Sequence, residues 1–143
     1  MKFKKLTETA TLPTYATDGS CGLDLYADIE KIVSIYPGKT VMIPTNIAME
    51  IPSDCFGLLA IRSGISTKND LGLINGVGII DADYRNGVGV PIHNYGNLPK
   101  SIEPNERIAQ IIIVPYNRVT VEEADELNET ERGLQGFGHS GKF

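Results

Sequence analysis

The amino-acid sequence predicts an all-β domain of the jelly-roll or distorted-barrel kind. Three observations point there. Apolar residues alternate with polar ones at the strand period in several places. The 15 glycines and 8 prolines fall as punctuation between short runs instead of gathering in one linker. Helical spacing occurs only in short fragments.

Taken in chain order, Leu23 and Leu25 alternate with Asp24 and Tyr26, a strand with the acid on its outer face. Ile29, Ile32, Val33 and Tyr36 have helical spacing, but the run is β-branched and Pro37-Gly38 stops it, so no helix is assigned. Ile47, Met49 and Ile51 share one strand face, with Ala48 and Glu50 on the other. "FGLLAIRSG" is apolar from Phe56 to Ile61, and Arg62, Ser63 and Gly64 read as its polar end. Asn75-Gly76 is a tight-turn dipeptide, and Gly78 lets another group approach the backbone. Ile79 and Ile80 lead into Asp81, Asp83 and Tyr84, with Asn86-Gly87 closing a hairpin. Val88, Val90 and Ile92 alternate again, and Pro91 marks an edge position. "RIAQIIIVP" is the continuous apolar run of a strand covered on both faces. From about Asn117 this grammar fades, and Val121, Ala124 and Leu127 supply at most a turn or two of helix. The expected organisation is a core over residues 1–117 and a connector with a glycine-rich arm over 118–143.

Bulk properties narrow the function. A hydrophobic content of 41% and a charged content of 22% over 143 residues suit one globular domain. The net charge of −5 argues against a broad nucleic-acid-binding face. Much of that charge is local, since six acids lie between Glu122 and Glu131, a solvated connector. No apolar run approaches the roughly 18 residues of a membrane span, and "MKFKKLTETA" lacks the apolar stretch of a signal peptide. Cys21 and Cys55, the two cysteines, read as small buried thiols in a reducing, cytoplasmic setting.

Polar interruptions are the candidate sites. A guanidinium, a hydroxyl and a free backbone N–H at Arg62, Ser63 and Gly64 would grip a phosphate, although a surface ion pair at a strand end is the simpler reading. Asp81 and Asp83 beside Tyr84 suit either solvated acids or the positioning of a water near a sugar or phosphate. Gln110 inside an apolar run is a buried amide that needs partners. Gly136, Gly138 and Gly141 have dinucleotide-loop spacing, but only Lys142 and Phe143 follow, with no helix to complete such a site. His93 and His139 have no Cys or acid at zinc-ligand spacing, and there is no Walker A lysine, G-x-S-x-G or C-x-x-C. A metal would arrive on the substrate's phosphates, as Mg²⁺ commonly does.

Five stretches, "SCGLDL", "IRSG", "NGVGIIDADYR", "ERIAQ" and "RGLQGFGHSG", resemble in this order the five motifs of the homotrimeric dUTPase family, spanning residues 20 to 141. The resemblance implies a β-clip, jelly-roll-like subunit in a three-fold trimer with sites at the subunit interfaces. It implies hydrolysis of dUTP to dUMP and pyrophosphate, with Mg²⁺ on the triphosphate. The matching residues would then have these roles. Asp81 holds the water that attacks the α-phosphorus, orienting it as much as taking its proton. Tyr84 packs on the deoxyribose and leaves no space for a 2′-hydroxyl. Asn75 and Gly78 offer backbone groups to the uracil edge. Arg62, Ser63, Gly64 and Gln110 hold phosphates, and Asp24 supports the metal indirectly through water. From the flexible arm, reaching a neighbouring subunit, Arg132 meets the γ-phosphate and Phe137 stacks on uracil. Gly138, His139 and Ser140 offer N–H groups and a hydroxyl, with His139 standing where the family usually has serine. Twelve extended residues reach about 40 Å, enough for such a crossing.

Two other readings stay open. dCTP deaminases share the overall pattern but use a catalytic glutamate, and no glutamate lies in Asp81-Ala82-Asp83-Tyr84. A nucleotide-controlled binding module would instead use dUTP to change the surface it offers a regulatory protein partner, which the sequence does not identify.

Overall fold

A computed structural model describes residues 1–136, in which the alternating runs form strands and one short helix. In chain order these are β1 (Lys2–Lys5), β2 (Thr14–Tyr15), β3 (Leu23–Tyr26), β4 (Val33–Ile35), β5 (Thr40–Pro44), β6 (Ile47–Glu50) and β7 (Cys55–Ile61). Then come α1 (Ser63–Asn69), β8 (Leu71–Leu73), β9 (Gly78–Ile80), β10 (Gly89–Asn94), β11 (Lys100–Ile102) and β12 (Arg107–Pro115). Four antiparallel sheets result, ordered β1-β6, β5-β10-β8, β11-β4 and β2-β3-β12-β7-β9. Most paired strands are distant in sequence, so the chain crosses repeatedly between sheets, a jelly-roll-like arrangement.

The continuous apolar run is β12, held between β3 and β7. Its Ile108, Ala109 and Ile111 are fully buried, packed with Leu25, Ile43, Leu59 and Val90 among others. Each buried isoleucine stabilises the fold by about 1.5–3 kcal/mol. A buried amide that the sequence reading passed over, Asn94, donates from Nδ2 to the carbonyls of Ile35 (2.8 Å) and Leu98 (2.9 Å). Its Oδ1 accepts from Gly96 N–H at 2.9 Å, so one side chain fixes a whole turn against β4.

Several expectations change. Pro91 lies in β10, the centre of its sheet, and not at an edge. Its carbonyl accepts Ile74 N–H at 3.1 Å, so its nitrogen faces the same flank, just beyond the paired residues of β8, where a missing donor is tolerated. Asn86-Gly87 closes no hairpin, because β9 pairs with β7 whereas β10 pairs with β5 and β8. The helically spaced Ile29–Tyr36 region yields β4. The helix forms instead after β7, where the strand end was expected. Ile65 alone anchors it, Thr67 Oγ1 donates to Ser63 O at 2.8 Å, and Asp70 ends it at φ 54. One apolar anchor gives no periodicity to read. Neither cysteine is buried: Cys21 is exposed and Cys55 half-buried. After Tyr116, whose N–H reaches Asp54 O at 3.0 Å, the described chain to Gly136 forms no strand or helix and is exposed throughout. No helix among the described residues is long and apolar enough to cross a membrane.

Candidate active site

Cross-strand register brings three of the polar interruptions together. Gln110 on β12 lies directly opposite Asp24 on β3 and Ala60 on β7. Two residues past Ala60, on the same face by strand parity, comes Arg62. A cleft of about 160 Å³ opens there, lined by Ser20, Gly22, Asp24, Arg62, Ser63 and Gln110. Asp24 does sit on the face turned away from Leu23 and Leu25, but it is not solvated: it is only 5% exposed. Its Oδ1 pairs with Arg62 Nε and its Oδ2 with Arg107 Nη1, both at 3.1 Å. Arg62 Nη1 also donates to Arg107 O at 3.3 Å. These contacts use Nε and Nη1 of the Arg62 guanidinium, on different edges, and leave its remaining N–H donors for the cleft.

Helix α1 begins here too. Arg62 is its N-cap residue, with extended backbone (φ −71, ψ 136) and no side-chain cap. Ser63, its first residue, borders the same cleft. The Gln110 amide has no side-chain hydrogen-bond partner among the described residues, so the expectation of a fold-stabilising buried amide is replaced by a half-exposed polar group facing the cleft.

A second cleft, about 420 Å³, is lined by Met42, Ile79, Asp81, Tyr84 and Val88. Asp81 leaves β9 as an exposed carboxylate, and its main-chain oxygen accepts Tyr84 N–H at 3.1 Å, closing a turn. Tyr84 OH donates to Gly87 O at 3.2 Å, which braces a ring that remains 40% exposed. Asp81 makes no side-chain hydrogen bond among the described residues, leaving its oxygens available. Asp83 is exposed beside it.

The turn preceding β9 keeps the expected geometry. Gly76 has φ +73 and donates to Leu73 O at 3.0 Å, and Asn75 O accepts Val77 N–H at 2.8 Å. What approaches Gly78 is the chain itself: a Cβ there would lie 3.0 Å from Leu59 Cβ. Because β9 is the outermost strand of its sheet, its second edge has no strand partner among the described residues.

The two clefts do not meet within one chain. Ile80 pairs with Gly57, so Asp81 leaves near Phe56, whereas Arg62 follows the other end of β7. Six residues of strand separate those positions, about 20 Å. Arg132 lies in an exposed turn of its own, donating to Gln135 O and Gly136 O at 3.0 Å each. Phe137, Gly138, His139 and Ser140 lie outside the described residues. No group of three or more His, Cys, Asp or Glu suited to a metal occurs among the described residues. A further groove of about 460 Å³ runs between Lys2, Lys4, Glu50 and Arg85 and holds none of the expected site residues. Sequence reasoning missed Arg107, whose only signal is its place beside the apolar run containing Gln110.

A crossed β-domain whose cleft gathers a guanidinium, a hydroxyl and an amide, with exposed carboxylates apart from it, is a jelly-roll-like protein with groups able to grip a phosphate. Comparison with known proteins narrows this further. The dUTPase family model matches residues 8–141, and the chain belongs to that family. A deoxyuridine 5'-triphosphate nucleotidohydrolase of Syntrophotalea carbinolica is 40% identical over 141 residues, 99% of this chain and 96% of the relative. One of Acinetobacter baumannii is 44% identical over 132 residues, 92% of this chain and 88% of the relative. Among solved structures, a mutant Staphylococcus bacteriophage 80alpha dUTPase with dUpNHpp superposes with TM-score 0.89 at 28% identity, covering 98% of this chain and 97% of its own. A mutant dUTPase of phage phi11 of S. aureus, described as revealing the coordination of a structural Mg(II) ion, has TM-score 0.81 at 25% identity, covering 90% and 98%.

Proposed function

We propose that the chain hydrolyses dUTP to dUMP and pyrophosphate at sites shared between copies of itself in a homotrimer. The observation that carries the shared site is the separation of Asp81 from Arg62 along β7, about 20 Å. A triphosphate is too short to span it, so the carboxylate of one copy must meet the cleft of another. Arg62, Ser63, Gly64 and Gln110 would hold the phosphates of a nucleotide whose sugar and base lie against the partner copy's second cleft.

In that cleft the free Asp81 carboxylate holds a water in line with the α-phosphorus and accepts its proton as attack proceeds. Tyr84 forms the wall beside the sugar. The unpaired edge of β9 and the Asn75–Gly78 turn offer N–H and C=O groups to a pyrimidine edge. Mg²⁺ bound to the triphosphate would neutralise phosphate charge and stabilise the leaving pyrophosphate. The donor set fits a cation carried in this way, because one or two exposed carboxylates suit an ion that keeps its waters and takes phosphate oxygens. Both oxygens of Asp24 are committed to arginines, so any part it plays at the metal runs through Arg62 or a water. The connector and arm over 118–143 would carry Arg132, Phe137, Gly138, His139 and Ser140 to a neighbouring copy. A reducing, cytoplasmic setting suits the unpaired thiols.

Mixing two inactive variants tests the reading. Arg62→Ala and Asp81→Asn chains should each lose about a hundredfold or more in pyrophosphate release from dUTP. Reassembled together they should regain turnover, because some interfaces then join an intact Asp81 to an intact Arg62. Verified mixed trimers without recovery would refute the shared site, and a wild-type chain releasing no pyrophosphate would refute the activity.

A further inference from the structure

Arg107 has no role in the reaction as described above. It opens β12, and its side chain, 44% exposed, reaches Asp24 in the wall of the cleft. Two independent features tie it to that cleft. The first is its bond to Asp24 Oδ2 at 3.1 Å, on the oxygen that Arg62 does not use. The second is a break in register. Gln110 and Ala109 pair regularly with Asp24 and Leu25, which would set Ile108 opposite Tyr26, yet Tyr26 is paired with Arg107.

That bulge reverses strand parity at the start of β12. With Gln110 facing the cleft, regular alternation would turn Ile108 towards the cleft and Arg107 towards the core. Instead Ile108 is 0% exposed and Arg107 reaches Asp24. Bulges beside functional sites commonly re-aim one side chain, and here the re-aimed residue is a cation.

We propose that Arg107 is a positioning residue for the triphosphate, acting on Arg62 through Asp24. This rests on the reading of Arg62 as a phosphate ligand. A carboxylate held by one partner rotates freely about its terminal bond. With Arg107 on Oδ2, Oδ1 stays turned to Arg62 Nε, and the outer edge of the guanidinium keeps one direction. The charge balance points the same way. Asp24 alone would cancel the field of Arg62 at the phosphates, whereas two guanidiniums around one carboxylate leave a net positive charge at the cleft.

The test measures binding of a non-hydrolysable dUTP analogue and of deoxyuridine to the whole protein. Arg107→Ala should lose about tenfold to a hundredfold in analogue affinity, the range for a hydrogen bond to a charged group. Deoxyuridine affinity should be unchanged, because the base and sugar do not use the cleft. Arg107→Lys should recover most of the loss and Arg107→Gln little, a comparison that survives if the alanine variant folds poorly. In an Arg62→Ala background, Arg107→Ala should cost clearly less than in the wild-type protein, the remainder being the unbalanced charge of Asp24. Parallel loss of both ligands, full additivity with Arg62→Ala, or equal affinity for the lysine and glutamine variants would overturn the proposal. Wild-type protein that fails to bind the analogue refutes the phosphate cleft itself, whereas wild-type binding with an indifferent Arg107→Ala refutes only the positioning role.

Discussion

Gly22→Ala should cost modest stability and most of the triphosphate affinity. Gly22 is buried immediately before β3, and a Cβ there would lie 2.8 Å from Gln110 Oε1. It would also lie 3.2 Å from Gln110 Cβ and 3.2 Å from Ile112 Cγ1. The worst overlap involves the end of a rotatable side chain, so Gln110 relieves it by swinging away. The other two contacts sit on the central strand, which yields only slightly. Overpacking a core costs 1–3 kcal/mol as a rule, and relief by rotation puts this site near the lower end, about 1 kcal/mol. For a chain of this length that lowers Tm by about 3–5 °C. Moving the Gln110 amide out of the cleft should remove the hydrogen bond proposed for it to a charged phosphate, a loss of about tenfold to a hundredfold in kcat/KM. Thermal melts at fixed chain concentration and pyrophosphate release over a dUTP titration measure the two effects. Gln110→Ala should reproduce the kinetic loss at little cost in stability, and the double variant should be no less active than Gln110→Ala alone. Wild-type kinetics in Gly22→Ala, or a double variant far less active than Gln110→Ala, would refute the reading that this glycine seats Gln110.

Removing the ring in Tyr84→Ala should narrow the preference for dUTP over UTP, read as the ratio of kcat/KM values; an unchanged ratio would place sugar selection elsewhere. Burial alone would push the Asp28 carboxyl up, but hydrogen bonds from Thr7, Asn46 and Thr9 and the Lys5 charge outweigh it and hold the group below its ordinary value. The stability it contributes is therefore complete above the unfolded-state pKa and lost as pH falls through the folded one, so Asp28→Asn should show a smaller drop in urea midpoint between pH 7 and about pH 3. Burial and the neighbouring Asp54 push the half-buried Cys55 thiol up, reducing its thiolate near neutrality. Iodoacetamide at neutral pH should accordingly modify the exposed Cys21 first, and mass spectrometry of the early adduct reveals whether it does.

The strands were legible because each is a local pattern. Val90 and Ile92 face the core and Pro91 and His93 face away whatever the rest of the chain does, since the strand period is a property of the backbone. The same holds for Asn75-Gly76, where a positive φ suits glycine. The run of β12 was legible as a strand but not as one covered on both faces, since Ile108, Ala109 and Ile111 are fully buried and Gln110, Ile112, Ile113 and Val114 only partly. The candidate residues could likewise be picked from the sequence, because Asp24, Arg62, Asp81 and Gln110 interrupt apolar runs.

Pairing was not legible. Which strand lies beside which depends on contacts between segments far apart in the chain, and that decided three things. It set Pro91 in a central strand, at the flank where its missing donor goes unneeded. It sent β9 and β10 to different sheets, so that Asn86-Gly87 became a connection instead of a hairpin turn. It also covered Asp24, an acid that alternation alone would leave in solvent, with guanidiniums from residues 62 and 107. The bulge that brings Arg107 there comes from a register shift between two strands and leaves no mark in either one. Within a regular strand the faces are therefore fixed locally, by backbone period and side-chain polarity, and the bulge of β12 is where pairing overrides them. The site's partners, and the distance along β7 that sets Asp81 apart from Arg62, arise only when distant strands pair, because the hydrogen-bond ladder converts sequence separation into position.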